Sequence, residues 1–211
     1  MKEININNKS NLNEIKTRSD FLSLFKNSQV ADDEQLCNLG LFISRQNLSR
    51  IIFMHDMYKN IININGVVME FGVRWGQNLS LFQNFRGMYE PYNHTRKIIG
   101  FDTFEGFPSI DKKDGGAKVA TIGSYSVTEG YEEYLTQILD YHESESPISH
   151  LKKYELVKGD ATKTLEKYLH KHPETIVALA YFDFDIYEPT KRCLELLNGR
   201  LGKGCLLYTS D

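Results

Sequence analysis

Four acidic residues stand at the ends of short apolar runs, which is where α/β proteins often place functional groups. They are Glu70, Asp102, Asp160 and Asp183. In open α/β sheets, ligands bind beyond the carboxyl ends of the strands, and a carboxylate there can accept hydrogen bonds from both hydroxyls of a ribose. A single acid in such a place is commonly a solvated turn residue. Four in succession favour a ligand of the nucleoside type.

A glycine-containing turn follows the first of these strands. Residues 67–69 predict a buried strand, Glu70 ends it, and a helix starts near Gln77 after a turn from Gly72 to Gly76. Glycines let backbone approach a ligand, and the first turn of a helix offers free N–H groups. The spacing does not match the G-x-G-x-x-G of dinucleotide-binding folds, and no GxxxxGK[ST] loop occurs. The E-x-G-x-x-x-G turn is typical of the methyltransferase type of Rossmann-like fold, whose ligand, S-adenosylmethionine, carries no phosphate.

Strand and helix patterns alternate along the rest of the chain. Further strands are predicted at residues 97–101, 154–158 and 176–182, and further helices at 130–142, 162–172 and 189–197. This alternation predicts an α/β, Rossmann-like fold with a mostly parallel sheet and helices on both faces. The run 176–182 is the most apolar and predicts a central strand. The polar, glycine-rich residues 109–128 are long for a connection and predict a loop that closes over substrate.

The N-terminal third differs in character from the rest. Residues 1–62 predict an arm and a helical layer, and residues 63–211 predict a domain that binds S-adenosylmethionine. Short helices are expected near residues 20–25 and from Asp32, and a longer, apolar one over 46–62. Its apolar surface predicts contact with the sheet or with a second subunit in a homo-oligomer. Arg45, Arg50 and His55 in this layer are either structural polar residues or, for one of them, a group that closes over the ligand.

Composition excludes several other classes of protein. The net charge of −3 and the absence of basic runs interleaved with aromatic residues argue against nucleic-acid binding. No apolar run approaches the roughly 20 residues that span a bilayer. The three cysteines are far apart and odd in number, which is typical of reduced thiols in a cytoplasmic protein.

Three segments resemble signature segments of the macrocin O-methyltransferase (TylF-type) family of class I S-adenosylmethionine-dependent methyltransferases. They are VVMEFGVRWGQN, IIGFDTFEGFP and YFDFDIYEPTK, in the family's order and spacing. The resemblance extends over about residues 42–204. The family methylates sugar hydroxyls, on deoxysugars or nucleotide-linked sugars, with S-adenosylmethionine and usually a divalent metal such as Mg²⁺. The resemblance therefore implies an O-methyltransferase with a small-molecule or sugar-linked acceptor.

The resemblance also implies roles for individual residues. Glu70 and Gly72 would line the methionine end of the cofactor, Asp102 would bind its ribose, and Asp160 would lie near its adenine. The implied cofactor-binding residues are Glu70, Gly72, Gly76, Asp102, Thr103, Phe104 and Asp160, and the implied metal ligands are Asp183 and Asp185.

The chemistry of a sugar hydroxyl is consistent with a metal at this place. Such a hydroxyl is a poor nucleophile, and a hard cation with oxygen ligands lowers its pKa and orients it. Asp183 and Asp185 project to the same face if the segment is extended. No residue stands out as the catalytic base, although His94 and His142 have a suitable side chain.

The C-terminal residues depart from the family's pattern. The family continues with a fifth strand and an acidic pair, but residues 205–211 read CLLYTSD and look foreign. The sequence therefore predicts a sheet that is truncated at its fifth strand, with an incomplete metal site. Two alternatives to the enzyme remain open: an inactive protein that binds an adenosyl ligand or serves assembly, and a nicotinamide-dependent oxidoreductase.

Overall fold

The computed structural model describes residues 10–106, 125–184 and 186–209. Helices and strands alternate within them after an N-terminal helical part. The helices are α1 (Leu12–Lys26), α2 (Arg45–Ile61), α3 (Gln77–Tyr89), α4 (Tyr131–Ser144), α5 (Ala161–Lys171) and α6 (Tyr187–Leu196). The strands are β1 (Val67–Phe71), β2 (Ile98–Asp102), β3 (Tyr154–Lys158), β4 (Val177–Phe182) and β5 (Leu201–Thr209). None of these helices combines the length and the apolar character needed to cross a membrane.

The five strands form one sheet in the order β3-β2-β1-β4-β5, and every neighbouring pair is parallel. The predicted α/β, Rossmann-like fold is confirmed. Because all strands run the same way, the sheet has an amino edge, where the strands begin, and a carboxyl edge, where they end. The chain order reverses between β1 and β4, and ligands of such sheets bind in the crevice at the carboxyl edge beside this reversal.

Two apolar clusters cover the two faces of the sheet. Alternate side chains of β1 point to opposite faces, so Val68 joins the cluster formed with α2, α3 and α4, while Met69 joins the one formed with α5 and α6. All residues of β1 and β4 are buried, as expected for central strands covered on both sides. Each fully buried large apolar side chain contributes about 1.5–3 kcal/mol to folding.

Buried ion pairs fix the amino edge. The Glu143 carboxylate at the end of α4 accepts hydrogen bonds from Arg86 on α3 at 3.0 and 3.1 Å and forms an ion pair with Lys153, which precedes β3. In a second group, the Glu90 carboxylate binds Arg96, which precedes β2, at 3.0 Å. The guanidinium of Arg96 also donates to the backbone carbonyl of Gly66, which precedes β1. These groups therefore join the starting points of three strands.

The expectation that the fifth strand is missing is wrong. Residues 201–209 form β5, which pairs in parallel with β4, with Leu179 opposite Leu206 and Phe182 opposite Thr209. Leu206 and Tyr208 alternate onto one face and pack against the first cluster, and the Tyr208 ring stacks on that of Tyr181 at 5.1 Å. The pairing with β4 is irregular between Leu201 and Leu206, the stretch that holds the two glycines and the cysteine, and it is regular again from Leu206 onward.

Residues 10–52 belong to a separate compact unit from the described residues that follow. Its first helix, α1, spans 15 residues and is much longer than the helix predicted near residues 20–25. The side chains of Asn11 and Glu14 form a reciprocal capping box at its start, a signal that is readable in the sequence. The helix predicted from Asp32 is instead two short 3₁₀ segments, Asp32–Glu34 and Leu36–Phe42. The domain boundary after residue 62 stays a prediction, because α2 runs across the division between the units.

The cysteines differ in their surroundings. Cys193 on α6 is fully buried in the second cluster, whereas Cys37 is exposed and Cys205 is partly exposed. Burial, together with the nearby Asp160 carboxylate, raises the pKa of the Cys193 thiol to about 12. Its thiol is therefore protonated and acts as a small apolar side chain.

Candidate functional site

The four predicted acids all lie at the carboxyl edge. Glu70 is the fourth of the five residues of β1, Asp102 is the last residue of β2, and Asp160 follows β3 after one glycine. Asp183 follows β4 directly, and its backbone N–H donates to the carbonyl of Phe71 at the end of β1. Asp185 lies outside the described residues. The sheet topology thus brings the predicted acids to one edge, around the reversal between β1 and β4.

The two glycines of the turn are required by close packing of the loops. Gly72 has φ +93°, and a Cβ there would come within 2.5 Å of the Asp183 carbonyl oxygen. Gly76 has φ +75°, and a Cβ there would meet the Leu135 side chain of α4 at 2.4 Å. The turn after β1 is therefore held against the end of β4 on one side and against α4 on the other.

Glu70 and Asn78 form a buried polar pair behind this turn. The Asn78 amide nitrogen donates to Glu70 Oε1 at 2.8 Å, and both side chains are buried. The other amide atom, Asn78 Oδ1, is buried and has no hydrogen-bond partner among the described residues. Sequence reasoning missed Asn78, although its position in the first turn of α3 follows from the glycine turn.

Asp102 is anchored by the backbone of two turns. Its Oδ2 accepts from the Arg74 N–H at 2.8 Å, and its Oδ1 accepts from the Phe104 N–H at 2.6 Å. The carboxylate thus connects the turn after β1 with the turn after β2. Each of its oxygens has further lone-pair capacity, so it can accept additional hydrogen bonds from a ligand.

An aromatic group stands beside the glycine turn, and we call Trp75, Tyr131 and Tyr134 the aromatic patch. The Trp75 and Tyr131 rings meet edge to face at 4.8 Å, and Tyr131 lies 5.7 Å from Tyr134. The Tyr131 hydroxyl donates to the Trp75 carbonyl at 3.0 Å. Burial and the neighbouring Tyr134 raise the pKa of Tyr131, which keeps this hydroxyl protonated. Trp75 remains 40% exposed and Tyr134 58% exposed, so both keep surface for a ligand.

Two of the implied cofactor-binding residues, Asp160 and Thr103, also stabilise local structure through hydrogen bonds. Asp160 caps α5: its Oδ1 accepts from the Thr162 N–H at 3.0 Å and from the Thr162 hydroxyl at 2.6 Å. Burial alone would raise the pKa of Asp160, but these hydrogen bonds and the Lys163 ammonium outweigh it and hold the pKa below its usual range. The Thr103 hydroxyl donates to the Gly106 carbonyl and so stabilises its own turn.

Of the two predicted metal ligands, only Asp183 lies within the described ranges. In those ranges, no three or more His, Cys, Asp or Glu side chains come together as metal ligands.

The histidines lie elsewhere in the part of the chain that the structure describes. His94 precedes β2 at the amino edge, and His142 lies in the last turn of α4, next to the buried Glu143. His55 contacts Tyr89 at the end of α3, again away from the carboxyl edge. None of these three is therefore brought to the candidate site. Arg45 and Arg50 belong to the N-terminal unit, and most of the predicted substrate loop at 109–128 lies outside the described residues.

Comparison with known proteins finds solved structures that are similar to this chain. No protein-family model and no curated protein matches the sequence. The chain is 40% identical to CalS11, described as a calicheamicin methyltransferase, with a TM-score of 0.92 over 95% of this chain and 78% of that chain. The apo structure of CalS11, described as a TDP-rhamnose 3'-O-methyltransferase of calicheamicin biosynthesis, matches 96% of this chain and 79% of that chain at 36% identity and a TM-score of 0.83. The O-methyltransferase NovP, at 22% identity, shares the fold, with a TM-score of 0.58 over 77% of this chain and 64% of that one.

Proposed function

This chain belongs to the O-methyltransferase family that includes CalS11, and we propose that it transfers the methyl group of S-adenosylmethionine to a hydroxyl of a sugar acceptor. The observation that carries the proposal is the meeting of the glycine turn with the carboxylates of Glu70 and Asp102 at the reversal of the sheet. CalS11, whose described acceptor is TDP-rhamnose, supports a sugar as the class of acceptor.

The side chains at this edge fit the cofactor. An amino-acid ammonium is a donor, and the Glu70 carboxylate and the buried Asn78 Oδ1 are acceptors behind the turn. Asp102 has room to accept from ribose hydroxyls while it holds the two turns. When bound, S-adenosylmethionine supplies an electrophilic methyl carbon on a positively charged sulfur. Carboxylates at this edge favour a ligand of that charge.

The transfer requires one displacement at the methyl carbon. The acceptor oxygen forms a bond to that carbon, the bond from carbon to sulfur breaks, and its electron pair stays on sulfur to give S-adenosylhomocysteine. The hydroxyl proton leaves to a base or to solvent. The task of this chain is to hold both reactants in line, which in well-oriented reactions supplies roughly 7–11 kcal/mol of the barrier.

We also propose a divalent cation, Mg²⁺, with Asp183 and Asp185 as ligands. The motivation is the place of Asp183 directly after β4, beside the glycine turn. The Asp183 carboxylate supplies at most two oxygen ligands, whereas Mg²⁺ prefers six. No step of the transfer is therefore assigned to it. Turnover in Mg²⁺ compared with turnover in EDTA tests this part of the proposal, and equal rates would remove the metal.

We also propose that the protein is cytoplasmic, that its cysteines are reduced and that it forms a homo-oligomer. Three free cysteines motivate the compartment. Within the N-terminal unit, α1 and the two 3₁₀ segments have no buried residue, and large apolar side chains such as Leu12 and Leu36 are exposed. A second copy would cover such side chains. Light scattering after gel filtration gives the mass, and a monomer at micromolar concentration would contradict this part.

Equilibrium binding separates the candidate functions. We expect calorimetry to show that S-adenosylhomocysteine binds and NAD does not, and that TDP-rhamnose accepts a methyl group from S-adenosylmethionine. Binding of NAD without S-adenosylhomocysteine would instead favour the nicotinamide-dependent oxidoreductase. Binding of S-adenosylhomocysteine with no transfer to any sugar acceptor would favour the inactive adenosyl-binding protein.

A further inference from the structure

Arg74 adopts a backbone conformation that is sterically costly for its residue type. Three non-glycine residues of the described ranges have a left-handed φ: Arg74 at +50°, Phe104 at +59° and Tyr125 at +64°. All three meet at the carboxyl edge. Arg74 and Phe104 donate their N–H groups to Asp102, and the Arg74 guanidinium lies 4.9 Å from the centre of the Tyr125 ring. Strain of this kind collects at functional sites.

The fold accounts for Phe104 but not for Arg74. The Phe104 ring is 5% exposed and belongs to the first apolar cluster, so burial offsets its strain. The Arg74 side chain is exposed, and it forms no ion pair with any residue in the described ranges. A glycine could adopt the same φ without strain and still donate its N–H to Asp102. The guanidinium is therefore the part of Arg74 for which a functional role has to be found.

The surroundings of the guanidinium indicate its ligand. Stacking on the Tyr125 ring limits its motion, and the planar fork of arginine matches phosphate oxygens in a bidentate way. The aromatic patch of Trp75, Tyr131 and Tyr134 begins at the next residue of the chain. Its exposed rings offer a surface on which a nucleobase can stack, a contact that tolerates different bases. A cation followed by aromatic rings suits a nucleotide better than it suits an uncharged sugar.

We propose that Arg74 binds the diphosphate of a nucleoside-diphosphate sugar and that the aromatic patch receives its base. This inference rests on the proposed sugar O-methyltransferase function and assigns individual residues to the nucleotide part of its acceptor. The carboxylate of S-adenosylmethionine is the other anion that could approach Arg74, so the experiment has to separate the two.

The test measures binding of three probes by calorimetry: S-adenosylhomocysteine alone, and then thymidine diphosphate and thymidine with S-adenosylhomocysteine at saturation. Arg74→Gln keeps the length of the side chain and its strained backbone but removes the charge. We expect it to weaken thymidine diphosphate binding by about 10-fold or more, the size of a charged hydrogen-bonded contact. Affinity for thymidine and for S-adenosylhomocysteine should change by less than about 2-fold, because neither contact uses the guanidinium charge.

Three further variants test the effects of charge, of backbone strain and of the aromatic patch. Arg192→Gln removes one positive charge from α6, which packs on the opposite face of the sheet, and should leave all three affinities unchanged. Arg74→Gly should weaken thymidine diphosphate binding as Arg74→Gln does, yet raise the melting temperature, because the strain is relieved. Trp75→Ala should weaken thymidine as well as thymidine diphosphate, which marks the base.

The outcomes distinguish this inference from the function on which it rests. If the unaltered protein binds S-adenosylhomocysteine but not thymidine diphosphate, the inference is wrong and the methyltransferase function stands. If Arg74→Gln weakens S-adenosylhomocysteine as much as thymidine diphosphate, Arg74 serves the cofactor carboxylate, and the inference is again wrong. If the unaltered protein binds no S-adenosylhomocysteine, the proposed function itself fails.

Discussion

The two edges of the sheet use acidic residues in opposite ways. At the amino edge, Glu143 and Glu90 are buried against Arg86, Lys153 and Arg96, so each carboxylate faces full positive charges. At the carboxyl edge, Asp102 is held by two backbone N–H groups and Glu70 by a neutral amide. The carboxylates of Glu143 and Glu90 are neutralised by the protein's own cations, whereas the hydrogen bonds that Asp102 accepts come from uncharged backbone donors, an arrangement suited to a positively charged ligand.

We expect this difference to separate residues that stabilise the fold from residues that bind a ligand. Breaking a buried ion pair leaves an uncompensated charge, so the amino edge should show its importance in the free energy of unfolding. Removing a carboxylate that holds turns should show mainly in ligand affinity. The following substitutions test that division, from the largest expected effect to the smallest.

Glu143→Ala should have the largest effect. It leaves Arg86, 3% exposed, and Lys153, 1% exposed, without their shared carboxylate. Loss of one member of such a buried group costs about 3–5 kcal/mol of unfolding free energy. Urea unfolding followed by circular dichroism measures it. Glu133→Ala, an exposed glutamate near the start of the same helix, is the control and should have little effect. A loss below 1 kcal/mol would show that the amino edge does not depend on this ion pair.

Asp102→Ala should weaken S-adenosylhomocysteine binding by roughly 1.5–3 kcal/mol, the range for hydrogen bonds to a charged group. It also leaves the Arg74 and Phe104 N–H groups without their acceptor. Asp102→Asn retains one oxygen acceptor and should lose less. Calorimetry with both variants gives the comparison. Unchanged affinity in Asp102→Ala would remove this residue from the binding site.

Gly72→Ala should disturb the edge through the backbone. The left-handed φ alone costs about 1–3 kcal/mol for a residue with a side chain. The added Cβ would also lie 2.5 Å from the Asp183 carbonyl oxygen, so the turn or the end of β4 has to move. Gly87→Ala, on α3 with open space around its Cβ position, is a matched control and should be neutral or stabilising. Equal unfolding curves for the two variants would contradict the close packing described here.

Asp160→Asn should have the smallest effect, because asparagine caps a helix about as well as aspartate. Only the charge is lost, worth about 1 kcal/mol or less for a partly exposed ion pair. The native pKa of Asp160 is lowered, so its ionised form stabilises the fold at pH values above the unfolded pKa of about 3.9. That contribution disappears as the pH falls through the native pKa, where the variant and the unaltered protein should converge. A difference that grows at low pH would contradict this sign.

Local patterns in the sequence predict the carboxyl edge well. The apolar runs identify β1 to β4, and the acids and glycines that follow them arrive at one edge because parallel strands end together. The resemblance to O-methyltransferases is confirmed by CalS11, at 40% identity over 95% of the chain. The roles of Glu70, Asp102 and Asp160 toward the cofactor stay predictions.

Contacts between distant residues could not be predicted in the same way. Arg86 and Glu143 are 57 positions apart, and nothing local distinguishes them from surface charges. The left-handed Arg74 depends on Asp102, 28 positions away, for its backbone contact. The strand β5 was missed for another reason: residues 205–211 lack the acidic pair of the family's pattern, and the alternation of Leu206 and Tyr208 is short on its own.

The reactivity of the buried Cys193 thiol can report how often α6 separates from the sheet. With a pKa near 12 and no exposed surface, it reacts with an alkylating reagent only when α6 moves away from the sheet. Cys37 and Cys205 are accessible and should be modified first. The rate of the slow third modification, measured by mass spectrometry, would then give the frequency of local unfolding around α6. A bound ligand that stabilises the packing of β4 against its neighbours would lower this rate.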